Sequence, residues 1–252
     1  MTVRPIHIQL GNVLLFAAVI VTNYLATALP INGRTTGAIS DSYQNLFVPA
    51  GITFSIWGLI YLLLTVFIVL QFRASFQSSS LVNNFAFINS AVLNCYWIIA
   101  FHFDQLFLSL IIMITLVAVL TMINLRLDEE KNNLMKLVFG VYLGWLEIAT
   151  IANMTALLVA SDWGGFGIDE VTWTIVLIAS GIVISSVTMI RLNNPYLAIS
   201  IVWAFYGIVL KREQDQPDIV LAAEIAMAAV ALAAIYTILK GRRGSSSIRS
   251  AA

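Results

Sequence analysis

Residues 137–160 read LVFGVYLGWLEIATIANMTALLVA, an apolar run with one acidic residue, Glu147, about halfway along. A helix needs about 20 residues to cross a hydrocarbon core that is about 30 Å thick. This run is long enough, and it predicts a transmembrane helix with a carboxyl group at membrane depth. Polar groups at that depth face protein or a cavity, because lipid offers them no hydrogen bonds.

The same pattern extends over the whole chain. Of its 252 residues, 60% are hydrophobic and 10% are charged, whereas soluble domains carry about 25% charged residues. We therefore predict an all-α fold, a polytopic transmembrane helical bundle surrounded by membrane lipids. The predicted spans are residues 10–29, 51–71, 84–102, 106–125, 137–160, 172–190, 196–210 and 218–239.

The charges exclude some functions and suggest an orientation. The net charge is zero, so nothing indicates a nucleic-acid partner, and the single Cys95 leaves no intrachain disulfide and no metal-ligand spacing. With eight spans, ten Lys and Arg residues fall on one side and three (Arg34, Lys211 and Arg212) on the other. The positive-inside rule then predicts both termini in the cytoplasm of a bacterial-type cell membrane.

Two alternatives concern the ends of the chain. The first span could be a signal peptide, although its apolar block is long for one and Asn23 and Tyr24 interrupt its end. The tail GRRGSSSIRSAA, residues 241–252, has a composition typical of disorder.

Helical geometry divides the fifth span into two faces. At about 100° per residue, Trp145, Ala149 and Asn153 lie within about 80° of one another. Glu147 points about 200° away from Trp145. Its face also carries Gly140 and Gly144, a small-xxx-small pair that lets another helix approach closely. We therefore predict a helix contact at Gly140, Gly144 and Glu147, and a separate stripe at Trp145.

The stripe has counterparts on other spans. Asn94 and Trp97 are neighbours at i, i+3 on the third span, and Trp57 lies about two turns inside the second. Aromatic rings beside amides suit an apolar pocket with a few orienting polar groups. On spacing alone, the alternative is that the Trp residues pack and the Asn residues bond between helices.

Three segments resemble the TspO/translocator protein family, the tryptophan-rich sensory proteins. VPAGITFSIWGLIY (48–61) is similar to that family's second helix, VLNCYWIIAFH (92–102) to its third and VYLGWLEIATIANM (141–154) to its fifth. The resemblance covers about residues 1–160 and implies a five-helix bundle whose pocket opens toward the first loop. Members bind porphyrins, sterols and drug-like ligands. The motif positions matched here, and so the implied ligand-binding residues, are Trp57, Asn94, Trp97, Trp145, Ala149 and Asn153.

The chain departs from that family in three ways. Val48-Pro49-Ala50-Gly51 replaces the usual proline pair and the Trp after it, and Cys95 stands where many members have Trp. Porphyrin photochemistry is therefore not expected. The last three spans have no counterpart in a five-helix family, so we divide the chain into a TspO-like bundle (1–160), an additional three-helix region (161–240) and the tail (241–252).

Three functions remain open at this stage. The first is a sensor, receptor or carrier that binds a small hydrophobic or amphipathic ligand, with porphyrin or haem as a ligand and no required cofactor. The second is a secondary transporter or proton-coupled carrier that uses Glu147. The third is an enzyme with His102 and Asp104 as an acid–base pair, but this spacing is equally typical of a solvated loop. We expect no enzymatic activity and no bound metal ion. The sequence is compatible with a homodimer.

Overall fold

The computed structural model describes residues 6–73 and 85–249, with side chains described up to residue 241. Within these ranges the chain forms nine α-helices and no strand. They are α1 (Ile6–Thr27), α2 (Thr36–Ser42), α3 (Ile56–Leu70), α4 (Ala86–His102), α5 (Leu106–Glu129), α6 (Asn133–Ala160), α7 (Glu170–Arg191), α8 (Leu197–Arg212) and α9 (Pro217–Arg249).

Each of the eight predicted spans forms a helix, which confirms the all-α polytopic fold. Six helices are long and apolar enough to cross a membrane, while α4 has 17 residues and α8 has 16. The short helix α2, between the first two spans, was not predicted. The backbone of α9 continues to Arg249 through most of the tail that we expected to be disordered, and residues 250–252 lie outside the described residues.

Helix α6 is the centre of the bundle. In its most apolar 18-residue stretch 78% of the residues are buried, against 33% at most in the other long helices. Helices α3, α5 and α8 pack on it. Helix α4 packs on α5, α1 packs on α4, and α9 packs across α7 and α8. The apolar side chains on the outside of the other helices are thus left for lipid, as expected for a membrane bundle.

The structure places Gly140 and Gly144 where α8 and the turn before it meet α6. A Cβ atom on Gly140 would lie 2.6 Å from Asn194 Nδ2, and one on Gly144 would collide with the Leu197 carbonyl oxygen. The Ser200 hydroxyl donates across the contact to the Val141 carbonyl oxygen at 2.8 Å. The helix on this face is therefore α8, and the final helix packs behind it.

The first five spans and the last three share one core. Trp203 of α8 donates its indole N–H to the Thr53 carbonyl oxygen at 2.9 Å, and the Ala50 N–H donates to the Gly207 carbonyl oxygen at 2.9 Å. Residue 160 is thus a boundary along the sequence, while in space α8 lies directly against both α6 and the start of α3.

We expect Gly144→Ala to destabilise the protein. The added methyl group has no free volume on the α8 side, so α8 must shift, and overpacking of this kind costs about 1–3 kcal/mol. Thermal unfolding in detergent micelles measures the loss. Gly58→Ala is the matched control, because a Cβ atom on Gly58, also within a helix, meets nothing within 4 Å. An equal effect of both substitutions would contradict the close α6–α8 contact.

Candidate functional site

A cleft of about 900 Å³ opens between α1, α3 and the segment around α2. This segment, residues 34–46, is called the α2 segment below. Its walls are mainly apolar, and their polar groups include the Asp41 carboxylate, the Asn23 amide and the hydroxyl groups of several Tyr, Thr and Ser residues (Tyr24, Tyr61, Thr27, Thr35, Thr36 and Ser55). Trp57 and Trp97 form its inner end. A space of this size is within the range of cavities that hold drug-sized ligands.

A second, much smaller cavity of about 40 Å³ lies deeper in the bundle. Its lining includes Trp57 and Trp97, which also line the cleft, and it includes Trp145, Ala149 and Asn153 of α6 and Ala204 of α8. Five of the six predicted ligand residues therefore surround one space, which can hold a small polar group and not a whole porphyrin or sterol.

Three polar groups on this inner cavity have no hydrogen-bond partner among the described residues. They are the indole N–H groups of Trp97 and Trp145 and the side-chain amide nitrogen of Asn153. The amide oxygen of Asn153, in contrast, accepts from the Ser109 hydroxyl at 3.0 Å. Buried donors are nearly always paired in proteins, so three unpaired donors among the residues that line one cavity make it a candidate place for an acceptor.

Packed aromatic rings hold these donors in place. The Trp57 ring stacks on Trp97 at a centroid distance of 6.1 Å and on Tyr61 at 5.6 Å, and it meets Trp145 edge-on at 6.4 Å. Such geometries are favourable for aromatic pairs. The indole rings therefore form a preorganised wall between the cleft and the inner cavity.

Asn94, the sixth predicted ligand residue, lines neither space. It is fully buried, accepts from Asn23 Nδ2 at 3.1 Å and donates to the Tyr142 hydroxyl at 3.0 Å. Asn94 thus links α1, α4 and α6, and its closest relation to the cleft is that it orients Asn23.

Glu147 lies on another side of α6, where its carboxyl group is buried against α7. One carboxyl oxygen is hydrogen-bonded to Thr188, and the other, Oε2, has no partner among the described residues. The separation of Glu147 from the Trp145 stripe agrees with the helical angles. A buried, half-satisfied carboxyl group is the chemistry that a proton-coupled carrier would use.

The α2 segment, which forms one wall of the cleft, is held in place by charged groups. Asp104, in the α4–α5 turn, pairs with Arg34 and accepts from the Tyr43 hydroxyl at 2.7 Å. Lys211 of α8 pairs with Asp41 at 2.6 Å, and Arg212 donates to the carbonyl oxygens of Asn45 and Leu46. The segment is therefore anchored from both sides.

These contacts also set two pKa values. Partial burial raises the pKa of Asp104, but the hydrogen bonds from Tyr43 and Arg34 outweigh it and leave that pKa below its ordinary value. Partial burial and the hydrogen bond to Asp104 together raise the pKa of Tyr43 to about 12. Both groups therefore keep their charge states at neutral pH, with Asp104 ionised and Tyr43 protonated.

His102 and Asp104 have separate partners. His102 is fully buried, with Nδ1 2.8 Å from the Ile98 carbonyl oxygen and Nε2 3.4 Å from that of Ala26, while Asp104 is engaged by Arg34 and Tyr43. In the described ranges, His, Cys, Asp and Glu form no group of three that could hold a metal ion.

The fold and this site define a class: an integral membrane protein with a ligand-sized cleft inside a helical bundle. The chain matches the family model described as TSPO-like protein over residues 9–236, and it belongs to that family. The match continues through the last three spans, beyond the 160 residues that carry the motif resemblance. No match was found among curated proteins or among solved structures.

Sequence reasoning missed some residues of the site. Tyr61 and Phe54 lie within the quoted second-span motif, and the spacing of Tyr61 from Trp57 at i, i+4 is a signal that could have included it. Ala204 gave no signal, because an alanine in an apolar span has no feature that distinguishes it from its neighbours.

We expect Asp104→Asn to loosen the α2 segment. The substitution keeps the shape of the side chain but removes its negative charge. That charge pairs with Arg34 and makes the hydrogen bond from Tyr43 stronger, so its loss weakens both contacts. Hydrogen exchange of residues 36–43 at constant pH should rise several-fold. Glu213→Gln, which removes an exposed charge at the α8–α9 turn, is the control, and unchanged exchange in Asp104→Asn would contradict the anchoring role.

Proposed function

We propose that this TSPO-like protein is a membrane receptor or carrier for a small hydrophobic or amphipathic ligand of the porphyrin or sterol kind. The ligand's apolar body occupies the cleft between α1 and α3, and one acceptor group reaches the inner cavity. The three unpaired donors of Trp97, Trp145 and Asn153 carry this proposal, because they supply hydrogen bonds that nothing else in the described chain uses.

The two spaces support a division of roles. The cleft has room for a flat or elongated apolar body, whereas the inner cavity admits a carbonyl or carboxylate oxygen and little more. Apolar area provides most of the affinity in such sites, and a few polar groups fix the orientation. Trp57 stands between the two spaces and contacts both parts of the ligand.

A porphyrin would be held by its ring and not by its metal. No His, Cys or Met is among the described residues that line the cleft, and the tyrosines there, Tyr24 and Tyr61, lie beside Trp57 or across from it. We therefore propose that the aromatic faces, and not an axial bond to the metal, hold the ring. Haem and metal-free protoporphyrin should therefore bind alike, as a ligand and not as a cofactor of an enzyme.

We expect Trp57→Leu and Asn153→Leu each to weaken ligand binding about tenfold, the size of one lost aromatic contact or hydrogen bond. Quenching of intrinsic fluorescence by protoporphyrin IX, and competition by a sterol, measure the affinity in detergent micelles. Trp163→Leu is the matched control, because Trp163 lies outside both spaces. Equal affinity in all three variants and the parent protein would exclude this site.

A proton-coupled carrier is the second candidate, and the unpaired carboxyl oxygen of Glu147 favours it. Glu147→Gln keeps the hydrogen bond to Thr188 but cannot exchange a proton. In liposomes, substrate-driven proton uptake should be lost in this variant while ligand affinity at the cleft is retained. Uptake without any proton movement in the parent protein would sink the coupling hypothesis and leave the receptor proposal intact.

Most Lys and Arg residues of the loops lie at the end of the bundle opposite to α2. This excess supports an orientation in which α2 and the cleft mouth face away from the cytoplasm. The ligand would then enter from the outer side or laterally between α1 and α3.

A further inference from the structure

A separate cavity of about 430 Å³ lies at the end of the bundle that carries α2. It is bounded by the last turns of α6, the first turns of α7, the loop between them and the segment around Asn45. It shares no lining residue with the cleft or with the inner cavity.

Aromatic rings form one wall of this cavity. Trp163 and Trp173 line it with their centroids 5.0 Å apart, and the Phe166 ring packs edge-on against Trp163 from the outside at 5.4 Å. The indole N–H of Trp173 donates to the Gly165 carbonyl oxygen at 2.8 Å, which ties the loop to α7. Trp173 is therefore fixed in position, and Trp163 packs against it in the wall of the cavity.

One residue of the loop that carries these rings has an unusual backbone conformation. Phe166 has a φ angle of 55°, in the left-handed region that bulky side chains rarely adopt. Its side chain is 85% exposed and packs edge-on against Trp163. This conformation therefore holds the Phe166 ring at the outer edge of the aromatic wall.

Carboxylates supply the polar part of the lining. Asp162 and Glu170 line the cavity, and no Lys, Arg or His is among its described lining residues. Glu170 lies in the first turn of α7 and accepts from the Leu46 N–H at 3.0 Å. Lys211 and Arg212, which line a neighbouring cavity together with Glu170, are bound by Asp41 and by backbone carbonyl oxygens.

We propose that this aromatic and acidic cavity binds an organic ammonium group, either on a soluble cation or on a lipid head group. Aromatic faces attract such cations through their quadrupoles, and two carboxylates supply the opposing charge. Trp residues that only anchor the protein at a membrane surface would face lipid singly. Here they enclose a concave space together with acids.

Choline and its uncharged carbon analogue, 3,3-dimethylbutan-1-ol, test this proposal because they share a shape and differ in charge. Saturation-transfer NMR of the methyl signals, recorded on the full chain in maltoside micelles, gives the two affinities. We expect choline to bind at least about tenfold more tightly. Equal binding of the two compounds, or no saturable binding of choline, would overturn the proposal.

Two substitutions locate the site while preserving side-chain shape. Asp162→Asn and Glu170→Gln should each weaken choline binding about threefold to tenfold, and Trp163→Leu should abolish it. Glu213→Gln removes the same charge from the same end of the bundle outside the cavity and should change nothing, and Trp57→Leu should be equally silent. Unchanged affinity in both carboxyl variants would place choline elsewhere and refute the assignment.

Nanodiscs distinguish the two sources of the ammonium group. If a lipid head group occupies the cavity, phosphatidylcholine discs should suppress the binding of free choline, and phosphatidylglycerol discs should allow it. If the ligand is a soluble cation, choline should bind in both kinds of disc with the same dependence on Glu170.

Discussion

The close approach of α8 to α6 at Gly140 and Gly144 is the contact on which the rest of the bundle depends. Lipid provides little hydrophobic force between helices, so packing and hydrogen bonds decide which helices associate. Two glycines let the backbones meet, and the Ser200 hydroxyl and the Asn194 amide bond across the gap to backbone carbonyl oxygens of α6. Larger side chains at these glycines would separate the helices and break both bonds.

This contact makes the candidate site a joint product of both parts of the chain. Because α8 lies against α6, Ala204 closes the inner cavity, Trp203 binds the start of α3, and Lys211 and Arg212 fasten the α2 segment. The face of α6 that a five-helix bundle would leave open is thus covered within one chain. The added helices contribute directly to the shape of the cleft mouth.

Hydrogen bonding separates structural polar groups from those available to a ligand. Asn124 and Asn194 bond to each other and to backbone carbonyl oxygens, and Gln9 and Asn12 both bond to Gln71. Of the seven buried side-chain atoms without a partner in the described chain, three line the inner cavity. Concentration of unmet donors at one point favours binding there over a purely structural role.

The sequence by itself predicted eight of the nine helices of the described ranges and the two faces of α6, because apolar length and helical angle are local properties of the chain. The resemblance of its motifs to a known family also pointed to Trp57, Trp97, Trp145, Ala149 and Asn153, and these five residues line one cavity. The tertiary structure decided that Asn94 bonds between helices, that α8 covers the glycine face, that Ala204 closes the cavity, and that the large space lies outside the Trp145 stripe. These features depend on which helices touch and how closely, and that is set by contacts between residues far apart in the sequence, which no local pattern records.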